Sequence, residues 1–122
     1  MAAFQGDDSG EFPGGVLKHF NGLSAAEDER LALLSEELGE ALQAIAKIQR
    51  HGYQSYDPTL PVHRRITNRV KLEQELGDLT FAIALLTDSG DLLRVNIDSA
   101  KATKRSNIGK WLHHNGVAEV PK

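Results

Sequence analysis

The sequence predicts an all-α fold, an antiparallel helical bundle, on three observations. Alanine and leucine are abundant while β-branched residues are scattered, a composition rich in strong helix formers. Apolar residues recur at three-to-four spacing in two long runs, the period of a helix with one buried face. Glycine and proline punctuate the stretches between the runs, at Gly52, Pro58, Pro61 and Gly90, as short connections require.

The first helix is expected over residues 24–51. Ser24-Ala-Ala-Glu27 is a capping box, in which the serine and the glutamate each satisfy a free backbone N–H of the first turn. Glu27, Asp28 and Glu29 suit the positive end of the helix dipole. Leu31, Leu34, Leu38, Ala41, Leu42, Ile45 and Ile48 supply the stripe. Lys47, Arg50 and His51 close the helix, and Gly52 stops it. Residues 52–62 form a loop. A second helix is expected over 64–88, with Leu72, Leu76, Leu79, Ile83 and Leu86 as its stripe and Gly90 as its end. A third, over 97–113, is capped by Asn96 or a neighbour. One more helical turn is compatible with 15–20.

Within 122 residues there is room for one domain and one core. We assign 1–15, acidic and Gly-rich, to a flexible arm, 16–115 to a single domain and 116–122 to a tail. Three helices would leave Val70, Phe81 and Leu85 uncovered, so a homodimer or homotetramer is expected to complete the bundle. A net charge of −3 offers no basic field for a nucleic-acid polymer. Any anionic ligand must be held by a local site or by bound cations. No cysteine is present, which excludes disulfides, thiolate metal sites and thiol chemistry. No apolar run is long enough to span a bilayer, and the N-terminus is the reverse of a signal peptide. A cytoplasmic protein without membrane partners is the expectation.

The chemistry lies in an internal repeat. Residues 37–48 (Glu37-Leu-Gly-Glu40-Ala-Leu-Gln-Ala-Ile-Ala-Lys-Ile48) align without a gap to residues 75–86 (Glu75-Leu-Gly-Asp78-Leu-Thr-Phe-Ala-Ile-Ala-Leu-Leu86), with six of twelve positions identical. Residues i and i+3 of a helix lie roughly 60° apart on one face, so Glu37 points with Glu40 and Glu75 with Asp78. Each pair has the same offset from its apolar stripe, and a local pseudo-twofold would bring both into one cleft. Gly39 and Gly77 each cost roughly 1 kcal/mol against alanine, which suggests close approach to the backbone there. Four converging carboxylates must be protonated or neutralised by cations. An all-oxygen set suits a hard cation, and Mg²⁺ where phosphates are handled. The alternative is a solvated acidic face.

Glu36-Glu37-Leu-Gly-Glu40, followed after a spacer by Glu75-Leu-Gly-Asp78, resembles the EExxE and ExxD signature of the all-α nucleoside triphosphate pyrophosphohydrolases of the MazG type. The resemblance covers roughly residues 24–112. It implies Mg²⁺-dependent hydrolysis of a nucleoside or deoxynucleoside triphosphate between the α and β phosphates, to monophosphate and pyrophosphate. Nucleotide-pool house-cleaning is the implied role, Mn²⁺ a substitute metal, and a dimer or tetramer the implied assembly. Carried over by position, Glu37, Glu40, Glu75 and Asp78 would ligate metal, with Glu36 and Glu37 the catalytic acids of the first motif. Glu36 would orient or deprotonate the attacking water. The family's KxxxNxxRW pattern matches Asn107-Ile-Gly-Lys110-Trp111 in its second half, with lysine for arginine. Its first lysine falls on Thr103, with Lys104 one place late. Lys101, Lys104, Asn107, Lys110 and Trp111 are thus the candidate substrate-binding residues.

Two rivals stand beside this reading: a hydrolase of another pyrophosphate-linked nucleotide, and a non-catalytic oligomerisation or partner-binding module with an acidic face. Tyr53, Tyr56 and Trp111 are candidates to stack on a base, although packing or an interface suits Trp111 better. Arg69 and Lys71 are candidates to approach phosphate, Lys71 being also the i,i+4 partner of Glu75. The adjacent His113 and His114 diverge by about 100° on a helix and make a poor metal pair. There is no P-loop motif, no HExxH and no ExxH in the helices, which argues against P-loop, zincin and di-iron chemistry.

Overall fold

A computed structural model describes residues 20–114. The expected arm over 1–15 and tail over 116–122 lie outside them. So does the turn anticipated at 15–20, apart from Phe20, which is in a non-helical turn. Three helices carry the described chain: α1 (Ala25–His51), α2 (Asn68–Asp88) and α3 (Arg94–Asn107), with single 3₁₀ turns at Val62–Arg64 and Ile108–Lys110.

Both halves of the capping box form at the start of α1. The Glu27 N–H donates to Ser24 Oγ at 3.1 Å, and the Ser24 N–H donates to Glu27 Oε1 at 2.7 Å. Gly52 ends the helix at φ +91°, in the left-handed region that favours glycine, with its N–H on the Ile48 carbonyl at 2.7 Å.

α2 begins four residues later than periodicity suggests, because the preceding segment is bound into the loop. The Asn68 and Arg69 N–H groups donate to the Ser55 and Tyr53 carbonyls at 2.8 and 2.9 Å. Thr67 Oγ1 caps the Val70 N–H at 3.2 Å. Arg65 ties the loop further, donating to the carbonyls of Leu60 (2.9 Å) and Pro58 (3.1 Å). What composition marks as a plain connection is a cross-braced element.

α3 is also displaced from the expected 97–113. Leu93 is its extended N-cap, so Asn96 sits inside the helix and caps nothing. The helix gives way to the 3₁₀ turn around Gly109.

The core is a seam between α1 and α2, which pack against each other as an antiparallel hairpin. Ala41, Ala44, Ala82 and Leu86 are buried there, together with Glu75. On α1 these alanines lie about 100° around the helix from Leu31, Leu38, Leu42 and Ile45. The leucine stripe therefore does not face α2, and Leu42 is 66% exposed. Of the face expected to be uncovered, Phe81 is 62% and Val70 36% exposed, whereas Leu85 is half-buried. Among the described residues α3 does not complete a bundle, since all its residues from Arg94 to Ser106 are exposed. It is held near its start: Arg30 on α1 donates to both Asp91 oxygens, at 2.6 and 3.0 Å, fixing the α2–α3 turn to the front of α1. Among the described residues no helix is long and apolar enough to cross a membrane.

Candidate metal centre

The antiparallel hairpin places the two acidic pairs opposite each other. Glu37 and Glu40 from α1 and Glu75 and Asp78 from α2 each offer an oxygen, and these four atoms lie within 4.8 Å of one another. The equivalent angular offsets in the two repeats produce this convergence: each pair flanks the alanines that form the seam.

Burial is graded across the cluster. Glu75 is 6% exposed, Glu37 and Glu40 are half-buried, and Asp78 is open to solvent. Lys71 Nζ contacts Glu75 Oε2 at 2.9 Å. The Lys71 pKa is raised, chiefly by that hydrogen bond and also by the charges of Glu75, Glu40 and Asp78. One ammonium does not satisfy four carboxylates. Loss of water raises the Glu40 carboxyl above its usual range, as do the charges of Glu37, Glu75 and Glu36. Glu37 Oε1 is shut off from solvent with no hydrogen-bond partner. A buried polar atom left unpaired costs roughly 1–3 kcal/mol, more for a charged group.

A bound cation would satisfy the unneutralised carboxylates and the orphaned Glu37 oxygen together. Donors opposite each other across Mg²⁺ are about 4.2 Å apart, and across Ca²⁺ about 5 Å. The spread of 4.8 Å lies between these values. The donor set is hard oxygen throughout, and the orphaned Glu37 oxygen gains a partner when an ion enters. The cluster is thus able to hold a metal ion.

Other sequence candidates are placed differently. Glu36 is exposed, outside the four-carboxylate set, though its charge reaches Glu40. Lys101, Lys104 and Lys110 are exposed, and among the described residues none of them forms an ion pair with the cluster. Asn107 donates to the Thr103 carbonyl at 3.1 Å, bonding its own helix. Trp111 is 69% exposed among the described residues. The structure therefore assembles the acidic side of the site but does not bring the α3 residues to it. The cation it does bring is Lys71, foreshadowed in the sequence by its i,i+4 spacing from Glu75. At Gly39 and Gly77 an added Cβ meets nothing within 4 Å, so among the described residues no part of this chain makes the close approach expected there. Tyr53 and Tyr56 each carry a guanidinium over the ring, Arg69 at 4.4 Å and Arg65 at 5.0 Å from the centroids. One face of each ring is thereby occupied. His113 and His114 take no part in the carboxylate cluster.

Comparison with family models, curated proteins and solved structures finds no match.

Proposed function

We propose that this chain is a Mg²⁺-dependent nucleoside triphosphate pyrophosphohydrolase acting in nucleotide-pool house-cleaning. The observation that carries the reading is the convergence of Glu37, Glu40, Glu75 and Asp78 to within 4.8 Å. The resemblance of their two motifs to the MazG type supplies the reaction. A water oxygen bonds to the α-phosphorus while the bond from that phosphorus to the bridging oxygen breaks, releasing monophosphate and pyrophosphate. The four carboxylates would hold Mg²⁺, which when bound offsets triphosphate charge and polarises phosphate oxygens. Glu36, solvent-facing beside the cluster, would take the proton that the water loses. Lys71, on the same wall, would donate to a phosphate oxygen.

The exposed leucine stripe supports a homodimer or homotetramer. α3 projects clear of its own hairpin, so the acidic side of one copy would be served by Lys101, Lys104, Lys110 and Trp111 of another. The same stripe also suits the rival reading, a non-catalytic helical module. A panel of canonical and modified dNTPs, assayed with and without Mg²⁺ with products identified, separates the two. Monophosphate and pyrophosphate, formed only with Mg²⁺ and lost in Asp78→Asn, are expected. Release of single phosphates, or turnover indifferent to Asp78, would refute the assignment. A stable monomer by light scattering at micromolar concentration would refute the assembly.

A further inference from the structure

A second feature shares the furrow with the carboxylates. On α1, Glu37, Glu40, Lys47 and His51 fall within about 80° of one another around the helix, and on α2 so do Asn68, Lys71, Glu75 and Asp78. Because the helices are antiparallel, the two faces run in step, acidic at one end and basic or amide at the other. From Glu40 to Lys47, and from Glu75 to Asn68, the rise is about 10 Å. At that far end the last turns of α1, the braced loop and the first residue of α2 border an open, solvent-facing pocket of about 490 Å³, a volume suited to a small organic ligand.

The lining has an unbalanced charge. Lys47, Arg50 and His51 line it, and among the described residues neither Lys47 nor Arg50 has a carboxylate within ion-pair distance. Asp57 is the one acid in the wall against the two cations Lys47 and Arg50: its Oδ1 accepts from the Thr59 N–H at 2.9 Å and the Thr59 hydroxyl at 2.6 Å, and these bonds, with the charges of Lys47 and Arg65, hold its carboxyl below the usual aspartate range. Tyr56 adds a hydroxyl, its ring held under Arg65. The Asn68 amide donates to the Gly52 carbonyl at 3.1 Å, which fixes the cavity's edge. The wall thus offers an ammonium, a guanidinium, an imidazole and a phenol, donor types that suit the several acceptor oxygens of a phosphate group.

We propose that this cavity is a phosphate-binding subsite, about 10 Å along the furrow from the carboxylates, and that it takes the distal phosphate of a nucleotide phosphorylated at two positions. The link to a metal-bound ligand rests on the function proposed above. The subsite itself does not, and two arms of one experiment keep them apart. In the first, the full chain is titrated with inorganic pyrophosphate without Mg²⁺, followed by NMR. Shifts at Lys47, Arg50 and His51 are expected, with at least tenfold weaker binding in Lys47→Gln/Arg50→Gln and an unchanged Mg²⁺-induced melting shift in that variant. No shifts there, or equal affinity in the variant, would overturn the subsite whatever the metal centre does. In the second, with Mg²⁺, a non-hydrolysable nucleoside triphosphate is compared with its 3′-phosphorylated form. A tenfold tighter fit for the latter, lost in the double variant, assigns the distal phosphate. Equal affinities would overturn that assignment and leave a site for a separate phosphate anion.

Discussion

Glu37→Gln tests the carboxylate centre with two opposed effects. Without metal, Glu37 and the buried Glu75 present oxygens no more than 4.8 Å apart. Two like unit charges at that separation repel by about 0.9 kcal/mol in bulk water and about 3.5 kcal/mol at an effective dielectric of 20. Glutamine preserves the shape, removes the charge and lets the buried, unpartnered Oε1 position hold an amide that can donate to a neighbouring carboxylate. The metal-free variant should therefore be more stable than the parent by at least about 1 kcal/mol, a rise in Tm of roughly 4 °C for a domain of this size. In Mg²⁺ the order reverses. An ion at a hundredfold excess over its Kd stabilises the parent by about 2.7 kcal/mol, and the variant loses most of that increment. Thermal melts of both proteins, with EDTA and with Mg²⁺ at matched ionic strength, read both effects. Equal Tm values in EDTA with equal Mg²⁺ increments would refute the metal centre and show the acids to be a solvated face.

Lys71→Gln should lower the metal-free Tm, since it leaves the buried Glu75 without its cation, and Mg²⁺ should close much of that gap; a deficit unaltered by Mg²⁺ would separate Lys71 from the metal centre. The Arg30 hydrogen bonds hold Asp91 below the usual aspartate range. A depressed folded-state pKa means stability that is fully present above about pH 3.9 and is lost as pH falls through the folded value. Asp91→Asn should thus cost stability at neutral pH and flatten the acid limb of a Tm-against-pH curve, and an unchanged limb would contradict the assignment. Gly39→Ala should stabilise by about 1 kcal/mol, because an added Cβ meets open space; a fall in Tm would reveal a close contact from another copy.

Local signals made the hairpin legible. Ser24 and Glu27 fix one end of α1 and Gly52 the other, each through bonds spanning four residues or fewer. The two acidic pairs were legible for a related reason: their matched offsets could be compared between helices before any tertiary contact was known. The direction of the seam was not. Periodicity groups Leu38, Leu42 and Ile45 with Ala41 as one apolar face, yet α2 packs on Ala41 and Ala44, where small side chains allow close approach. The larger leucines stay exposed because nothing else in the described chain covers them. The start of α2 was hidden because it depends on carbonyls of Tyr53 and Ser55, more than twelve residues upstream. Sequence spacing gave α3 a charged face but no neighbour, so the expected union of its lysines with the acids had no contact behind it.

The seam's small side chains bear on which cation the centre prefers. Ala82 has no exposed surface and lies one turn beyond Asp78, while Ala44 lies one turn beyond Glu40, so the gap between the helices is set by methyl groups. Ligand distances for Mg²⁺ and Ca²⁺ differ by only about 0.3–0.5 Å, less than the breadth of one added methyl. The alanines thus act as a gauge for ionic radius. Ala82→Val, by wedging the helices apart, should shift the ratio of Mg²⁺ to Ca²⁺ affinities toward calcium in competition titrations, and an unchanged ratio would show that the carboxylates set their own spacing.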